Sequence, residues 1–473
     1  MEEKSFVSLR KDYSQFVYEK FSWNVRGKSL AISFNFSAKG GSASGGRIPP
    51  DISFSPLIII KNIDPSRVKE IKKGIINNLV FNLGLMEMIS YWKATCSSEI
   101  LVKPGFLDKE QLRWWKDLII NGMGQFFFEN RIDFQGKDFL KIKSLGKSFK
   151  RATLKLKERF LVPVGGGKDS IITLEFLKKA KKEVNCFALN PSLAAEKIIK
   201  ISGGKELVIV QRKIDPKLLE MNRQGFLNGH TPFSAYLAFL SVLAAVLFDY
   251  KFIAFSNEQS ANEGNVWYFG QEINHQYSKT SRFEKKFRDY CQKYLVKGVD
   301  YFSFLRPLYE LQIAKIFSQY PRYFKAFLSC NQALATKSGL KKPTGKWCGQ
   351  CPKCLFVFTC LYPFIGEKEL IDIFGQNLFA KRELLPAMKE LIGESDFKPF
   401  ECVGTKKESI TAFYLSWKKA RQLGEPKFLL AYFKDKISPR YFNLESESER
   451  ILRSWNSKNY LPPELKKMLQ AEI

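Results

Sequence analysis

Residues 161–170 read LVPVGGGKDS, an apolar strand that runs into three glycines and then into a lysine, an aspartate and a serine at the start of a helix. Glycines adopt backbone conformations that residues with a Cβ atom avoid, so several N–H groups of such a turn can point at one anion beside the positive end of the helix. The stretch therefore predicts a phosphate-binding loop, although a glycine-rich turn with no ligand has the same pattern. The predicted loop residues are Gly165, Gly166, Gly167, Lys168, Asp169 and Ser170, with Lys168 supplying a positive charge and Asp169 a magnesium ligand.

The spacing of the glycines separates this loop from two common nucleotide-binding loops. The nucleoside triphosphatase loop needs four residues between its first glycine and a Gly-Lys-Ser/Thr ending, and the dinucleotide loop needs a third glycine where this chain has Ser170. What remains resembles the Ser-Gly-Gly-x-Asp-Ser loop of the PP-loop pyrophosphatases, which split ATP into AMP and pyrophosphate while they activate a carboxylate or a carbonyl group. Gly165 stands where that superfamily usually has serine.

The segments after the loop alternate between strand and helix. Strands are predicted at 160–164, 184–190, 207–212 and 251–256, and helices at 169–182, 192–202 and 231–248. This alternation predicts an α/β fold with a doubly wound parallel sheet, in which ligands bind beyond the carboxyl ends of the strands. We therefore expect all four strand ends to border one crevice. Beyond the glycine loop, the residues at these ends that are predicted to bind the nucleotide are Asn190, Ser256, Asn257 and Glu258.

The length of 473 residues allows two or three domains. Residues 1–150 combine β-rich runs with tryptophan-containing helical stretches and are predicted to form a separate α+β domain. Residues 151–325 hold the loop and the alternating pattern, which predicts a PP-loop (HUP-like) ATP-binding domain. Residues 326–473 hold a cysteine cluster followed by a helical C-terminal region.

The cysteine content and the hydrophobic pattern bear on location. Nine cysteines, an odd number, and a charged N-terminus without a secretory signal predict a cytoplasmic protein. Residues 231–248 form an uncharged run at the lower edge of membrane-spanning length, but they lie inside the α/β pattern and precede a further strand. We therefore predict a buried helix at this position and no membrane span.

The net charge of +29 favours a polyanionic partner such as nucleic acid, a membrane surface or a nucleotide substrate. The lysines are spread along the chain without a block of five or more, so a solvated surface explains the charge about as well. Because no basic and aromatic stripe accompanies the charge, a nucleic-acid partner is not favoured. The oligomeric state is left open.

A cysteine cluster has the spacing of a metal centre. Cys330 is followed by Cys348, Cys351 and Cys354, the last three separated by two residues each. Four thiolates at such spacing suit a tetrahedral, structural zinc ion, and an iron–sulfur cluster, redox chemistry or free thiols are the alternatives. A similar cysteine set beside a PP-loop is known from the cyano-deazaguanine synthases of the queuosine pathway.

Two further segments are rich in groups that bind ligands or move protons. Residues 256–282 are densely polar and contain His275, Tyr277 and Lys279, and the only other histidine, His230, precedes the buried helix. Residues 398–405 read KPFECVGT and combine Glu401 with Cys402, groups suited to proton transfer. The same segment is compatible with an ordinary loop that enters a helix at Thr405, capped by Glu408.

Several stretches together resemble the ATP-dependent UDP-N-acetylmuramoyl-L-alanyl-L-glutamate epimerases of bacterial cell-wall synthesis. They span nearly the whole chain: SYWKATC at 90–96, GGGKDS at 165–170, SNEQSANEGN at 256–265, NHQYSK at 274–279, CGQCPKC at 348–354 and PFECVGT at 399–405. The glycine at position 165 is the usual residue of that family. The long polar string and the PFECVGT segment distinguish the family within its superfamily.

The resemblance implies an ATP- and magnesium-dependent isomerase that converts the terminal L-glutamate of the UDP-linked dipeptide to D-glutamate through an acyl-adenylate. Lys168 and Asp169 would act on the phosphates, and the substrate would meet the residues His275, Tyr277, Lys279, Glu401 and Cys402. A PP-loop enzyme that modifies tRNA, an enzyme of the queuosine pathway and a non-catalytic nucleotide sensor are the alternatives.

Overall fold

The computed structural model describes residues 4–41, 48–204, 207–336 and 338–473. The elements of the first third are α1 (Phe6–Asp12), β1 (Gln15–Arg26), β2 (Ser29–Lys39), β3 (Ile52–Phe54), β4 (Leu57–Lys61), α2 (Pro65–Glu70), α3 (Lys73–Trp92), β5 (Glu99–Val102), α4 (Lys109–Gly122), α5 (Gly124–Glu129), β6 (Lys141–Ser144) and β7 (Ala152–Thr153).

The middle of the chain carries the alternating pattern. Its elements are β8 (Phe160–Pro163), α6 (Lys168–Lys179), β9 (Val184–Leu189), α7 (Leu193–Ile201), β10 (Leu207–Lys213), α8 (Pro216–Arg223), α9 (Phe233–Phe248), β11 (Phe252–Phe255), β12 (Val266–Tyr268), β13 (Gln271–Ile273), α10 (Ser281–Tyr290), β14 (Val296–Lys297), β15 (Asp300–Ser303) and α11 (Glu310–Phe317). The predicted strands and helices are confirmed with shifts of one to three residues at most ends, as expected for helix and strand boundaries.

The last third is helical wherever the structure describes regular elements longer than a short turn. Its helices are α12 (Asn331–Leu334), α13 (Pro352–Leu361), α14 (Glu367–Phe374), α15 (Leu385–Ile392), α16 (Lys406–Leu423), α17 (Phe428–Tyr432), α18 (Leu444–Leu452) and α19 (Pro463–Gln470). Thr405 is the N-cap of α16 and forms the predicted capping box with Glu408.

Strands β10, β9, β8, β11 and β15 lie side by side in that order, and each neighbouring pair is parallel. Numbered from the glycine loop, the order is 3-2-1-4-5, which reverses between β8 and β11. Such a reversal opens a crevice at the carboxyl ends of the two strands. The glycine loop follows β8 and Ser256 follows β11, so the structure brings both predicted segments to this crevice.

The sheet continues into the N-terminal third. β4 pairs antiparallel with β10, and β2, β1, β5 and β6 extend the sheet beyond it. Strands from residues 1–150 and from residues 151–325 therefore share one mostly parallel sheet. That the chain divides into separate domains at residue 150 stays a prediction.

Helix α9 is apolar on all sides because it is enclosed by protein. Its residues from Ala235 to Leu247 are buried except for Leu237, and α9 packs against α3 and the sheet. The predicted buried helix is confirmed. Among the described residues, no helix combines the length and the apolarity needed to cross a bilayer.

A buried ion pair holds the loops around the crevice. The Arg306 Nε atom donates to Glu284 Oε2 at 2.9 Å, and both side chains are about 1% exposed. The guanidinium also donates to the backbone carbonyls of Glu258 and Lys279, and the other carboxylate oxygen of Glu284 accepts from the Ser303 backbone N–H at 2.7 Å. A fully hydrogen-bonded pair of this kind joins β15 and α10 to the two polar segments beside the crevice.

Replacing Arg306 with Met should destabilise the protein by about 3–5 kcal/mol, because the Glu284 carboxylate would remain buried without its partner. Urea unfolding followed by circular dichroism measures the change. The matched control is Lys285→Met, which breaks an exposed ion pair with Asp289 on the same helix α10 and should leave the unfolding midpoint unchanged. Equal midpoints for the two variants would contradict the structural role of Arg306.

Candidate active site

A cavity lies at the point where the strand order reverses. Its polar lining comes from the glycine loop, from the end of β11 and from the 256–282 segment, and its apolar wall includes Phe187, Leu189 and Phe233. The polar side chains that line it are Asp169, Ser170, Ser234, Ser256, Asn257 and Lys279. A concave site with an apolar wall and a few convergent polar groups is typical of small-molecule binding.

The backbone of the loop requires glycine at one position. Gly166 has a φ of +106°, and a Cβ atom there would lie 3.0 Å from Ala194 Cβ and 3.3 Å from the Ala195 nitrogen. Gly167 is the N-cap of α6 without a side-chain cap, so the first N–H groups of α6 are available to an anion. Gly165 lies in open space, where a Cβ atom would meet nothing within 4 Å.

Lys168 is buried behind the loop among carboxylates. Its ammonium group contacts Asp169 Oδ1 at 2.6 Å and also Glu310 Oε2. Burial by itself would lower the pKa of Lys168, but the charges of Asp169 and Glu310 raise it well above its ordinary value. Lys168 therefore neutralises and orients Asp169 in this structure, and its predicted contact with phosphate stays a prediction.

Three carboxylates meet beside the cavity. Oxygens of Asp169, Glu258 and Glu310 lie within 4.8 Å of one another, a separation that a shared divalent cation can span. Burial raises the pKa of Glu258 to about 7, helped by the charges of Glu310 and Asp169 and opposed by Lys279. In the described residues no hydrogen bond reaches the Glu258 carboxylate, so this group is free to bind a cation.

The other predicted nucleotide residues have structural partners at the strand ends. Ser256 Oγ lies 2.8 Å from Thr173 Oγ1 on α6, and Asn257 donates to Ser303 Oγ at 3.1 Å. Asn190 has a φ of +43° and exchanges hydrogen bonds with the backbone of Arg212. These contacts join the end of β11 to α6 and β15, and the end of β9 to β10, at the edge of the crevice.

Cys402, His275 and Lys279 form a second group next to the cavity. Lys279 Nζ lies 3.1 Å from Cys402 Sγ, and His275 Nε2 lies 3.8 Å from the same sulfur. Burial opposes charge on Lys279, but Cys402 and Glu258 outweigh it and raise the pKa of the ammonium. Lys279 thus places a positive charge directly beside the Cys402 sulfur.

The tautomer of His275 follows from its neighbours. Gln125 Nε2 donates to Glu129 at 2.7 Å, so Gln125 Oε1 accepts from His275 Nδ1 at 2.5 Å. Nε2 of His275 is then the unprotonated nitrogen and faces Cys402. Burial, followed by repulsion from Lys279, lowers the pKa of His275 to about 3, which keeps the ring neutral. The unprotonated Nε2 can therefore accept a hydrogen bond from the Cys402 thiol.

Tyr277 and Glu401 make contacts of another kind. The Tyr277 hydroxyl donates to Asp117 Oδ2 on α4 at 2.7 Å, and burial raises the pKa of Tyr277 above its ordinary range. Glu401 Oε2 accepts from the Lys353 backbone N–H at 2.5 Å, at the start of α13. Both side chains thus anchor the segments that carry His275 and Cys402, and their predicted contacts with substrate stay predictions.

The four cysteines of the predicted metal centre are brought together. Cys330 Sγ lies 3.8 Å from Cys351 Sγ, Cys351 lies 3.6 Å from Cys354, and Cys348 lies 3.6 Å from Cys354. Sulfurs bound at about 2.3 Å to one tetrahedral zinc ion lie about 3.8 Å apart, so this donor set fits zinc. Cys351 is the N-cap of α13 and Cys354 lies in its first turn. Lys353, between them, donates to the Cys402 backbone carbonyl.

Sequence reasoning missed Glu310, Arg306 and Gln125. Glu310 follows a capping tyrosine at the start of α11, Arg306 precedes a proline in a loop, and Gln125 lies in a short aromatic helix. None of the three belongs to a motif, and each acquires its function from a partner at least 22 residues away in sequence. No local pattern in the sequence indicates them, because each is recognised only by its buried position beside the crevice.

Lys279→Met should slow the alkylation of Cys402 by iodoacetamide about tenfold, because the thiolate loses the ammonium beside it. Mass spectrometry of peptides from timed reactions gives the rate for each cysteine. Cys360, which is buried and lies outside the sulfur cluster, should stay unmodified in both proteins and is the control for an intact fold. An unchanged rate at Cys402 would show that Lys279 does not act on this thiol.

Comparison with known proteins identifies the family. The MurL N-terminal domain matches residues 8–304, and the MurL C-terminal domain matches residues 326–440. The UDP-N-acetyl-alpha-D-muramoyl-L-alanyl-L-glutamate epimerase of Xanthomonas oryzae pv. oryzae is 36% identical over 330 residues, which cover 70% of this chain and 72% of that protein. Proteins with the same name from a Micromonospora species and from Salinispora tropica are 40% and 38% identical over 257 residues, which cover 54% of this chain and 56% and 55% of theirs. This chain therefore belongs to the MurL family, whose named relatives are epimerases and hence isomerases.

Proposed function

We propose that this protein converts the terminal L-glutamate of UDP-N-acetylmuramoyl-L-alanyl-L-glutamate to D-glutamate at the expense of ATP, for the synthesis of peptidoglycan precursors in the cytoplasm. One observation supports the proposal beyond family membership. The cavity beside the glycine loop adjoins the thiol of Cys402, the imidazole of His275 and the ammonium group of Lys279. Lys279 both lines the cavity and contacts Cys402. ATP could therefore activate the α-carboxylate of the substrate while Cys402 acts on the α-carbon next to it.

The first step proposed is formation of an acyl-adenylate. The α-proton beside a free carboxylate is a very weak acid, because the carboxylate is already negative. Transfer of AMP to the carboxylate, with release of pyrophosphate, removes this charge and makes the carbonyl electron-withdrawing. The glycine loop with its PP-loop resemblance, the open N–H groups of α6 and the apolar wall of the cavity support ATP as the second substrate.

Magnesium fits the carboxylate group beside the loop. Lys168 already bridges Asp169 and Glu310, which leaves Glu258 and the remaining oxygen of Asp169 as ligands. A bound Mg²⁺ would neutralise phosphate charge during the attack of the substrate carboxylate. We infer that Lys168 holds Asp169 in place and that Glu310 anchors Lys168.

Removal of the α-proton is assigned to Cys402. The thiolate of Cys402, paired with the Lys279 ammonium, would remove the α-proton of the activated glutamyl residue. Return of a solvent-derived proton to the opposite face gives the D-isomer, and hydrolysis of the adenylate by water releases AMP. Gln125 holds the His275 tautomer whose Nε2 faces the Cys402 sulfur.

Zinc is proposed as the ion of the cysteine centre, held by Cys330, Cys348, Cys351 and Cys354. A closed set of four sulfurs leaves no open position for substrate, so the ion would be structural. It would hold the start of α13 and, through Lys353, the loop that carries Cys402.

The central test uses the purified protein with the UDP-linked L-alanyl-L-glutamate substrate and ATP in deuterated water. We expect deuterium at the glutamyl α-carbon and stoichiometric AMP, measured by mass spectrometry and ion-exchange chromatography. Asp169→Asn should abolish AMP formation, because residue 169 would lose the negative charge that binds magnesium and pairs with Lys168. Asp138→Asn, at an exposed residue, is the matched control and should keep full activity.

An intact α-proton without AMP would contradict the whole proposal. Turnover retained in Asp169→Asn would remove the glycine loop from the mechanism. Pyrophosphate release that needs tRNA instead of the UDP-linked dipeptide would support the PP-loop tRNA-modifying alternative, with an affinity that falls steeply with salt.

The zinc proposal predicts about one zinc ion per chain by inductively coupled plasma mass spectrometry. Cys351→Ser should lose the ion and lower the melting temperature, because the site couples metal binding to folding. Cys360→Ser is the control, since Cys360 is buried in α13 outside the sulfur cluster. Iron instead of zinc, or no metal in the wild-type protein, would contradict the assignment.

A further inference from the structure

A second cavity adjoins the one beside the glycine loop. Its volume is about 700 Å³, and both cavities are lined by Val164, Gly165, Leu189 and Phe233, so they meet along the carboxyl ends of β8 and β9. The walls of the second cavity are mostly apolar, and the described residues that line it include no carboxylate. A cavity of this size and composition is typical of a small-molecule site, and the proposed reaction has assigned it no ligand.

Arg212 is the single charged residue in the described lining of this second cavity. Its side chain is only 10% exposed. Nε donates to Glu87 Oε2 at 2.8 Å, Nη2 donates to Ser90 Oγ at 2.8 Å, and the guanidinium carbon lies 4.6 Å from the centre of the Tyr236 ring. No hydrogen bond within the described part of the chain reaches Nη1, so two N–H groups of the guanidinium have no protein acceptor.

Helix α3 fixes the orientation of this guanidinium. Glu87, which is fully buried, and Ser90 lie three residues apart on α3, so the N-terminal third of the chain positions an arginine of β10. Asn190 adds hydrogen bonds to the Arg212 backbone and also lines the cavity. A planar guanidinium that a carboxylate holds at one edge presents its remaining N–H groups in a fixed direction, an arrangement suited to phosphate oxygens.

The N-terminus of α7 opens onto the same cavity. Ser192, Leu193 and Ala194 line the cavity, and Ser192 is the N-cap of this nine-residue helix. The Ser192 side chain accepts from the Ala195 N–H, so it does not cap the N–H groups of Leu193 and Ala194. The positive end of a helix with uncapped N–H groups favours an anion. The arginine and the helix end therefore both indicate a negatively charged ligand.

We propose that the second cavity binds the phosphate-bearing part of a nucleotide. Arg212 and the N-terminus of α7 hold a phosphate group, and the apolar wall packs against the base or the sugar. Since the described lining has no carboxylate, this phosphate is held without a metal ion, unlike the phosphates at the glycine loop. The sequence had already predicted a nucleotide contact for Asn190, which lines this cavity.

Two nucleotides of the proposed reaction carry this chemistry, ATP and the UDP end of the substrate. The choice between them rests on the proposed function, whereas nucleotide binding itself needs no turnover. The experiment therefore measures binding by isothermal titration calorimetry, with ADP and with UDP in separate titrations in the presence of magnesium. It compares wild-type protein with Arg212→Met.

Arg212→Met should weaken the binding of at least one nucleotide about tenfold or more, the loss expected when a hydrogen bond to a charged group is removed. A loss for ADP alone would assign the cavity to ATP, and a loss for UDP alone would assign it to the UDP end of the substrate. A loss for both would show that the cavity accepts either nucleotide.

The matched control is Arg288→Met. Arg288 also pairs with a carboxylate, that of Asp300, and also lies over a tyrosine ring, that of Tyr460, but it lines neither cavity. This variant should leave both affinities unchanged.

A second variant keeps the inference testable, because Arg212→Met leaves Glu87 buried without its partner and can fail to fold. Leu193→Pro removes one N–H group at the first position of α7, where proline is tolerated. Leu193 is 65% exposed, and Ser192 already has the extended backbone that a residue before proline requires. The same nucleotide should bind about threefold more weakly to this variant.

Unchanged affinities in Arg212→Met, or in Leu193→Pro if Arg212→Met does not fold, would overturn the inference, and so would an equal loss in Arg288→Met. Nucleotide binding that depends on Arg212, without AMP formation from ATP and the UDP-linked dipeptide, would overturn the proposed function and leave the nucleotide site intact. Wild-type protein that binds neither nucleotide would overturn both.

Discussion

The crevice depends on the buried guanidinium of Arg306. It joins Glu284 to the carbonyls of Glu258 and Lys279, so one side chain holds both polar segments that face the glycine loop. A charge buried this deeply is stable only with all its hydrogen bonds made, which ties the position of the two segments to each other. The carboxylate and the ammonium that border the cavity are thereby held before any ligand arrives, and such preorganisation is what an activation site requires.

Opposite charges alternate across the site. Lys168 lies between Asp169 and Glu310, and Lys279 lies between Glu258 and Cys402. Each ammonium group stabilises an anion that the proposed chemistry needs, a metal ligand in one case and a thiolate in the other. Repulsion among unpaired carboxylates or lysines at this burial would otherwise shift them to their neutral forms.

Much of the fold could be predicted from local patterns. The loop at 165–170, the four strands that surround it, the buried helix α9 and the capping box at Thr405 all follow from residues close together in sequence. The extension of the sheet into the first third could not, because β4 pairs with β10 across some 150 residues and no local pattern specifies an antiparallel neighbour. The same limit applies to Tyr277 and Glu401, whose partners lie on other elements.

The sequence by itself determined the glycine loop, the order of the strands and helices beside it, the cysteine spacing and the family resemblance. These are properties of backbone freedom, periodicity and short motifs, which act between near neighbours. Only the tertiary structure decided that Lys168 binds Glu310, that Gln125 sets the tautomer of His275 and that Arg306 joins the polar segments. Burial makes each of these contacts necessary, and burial is a property of the folded chain that no short stretch of sequence carries.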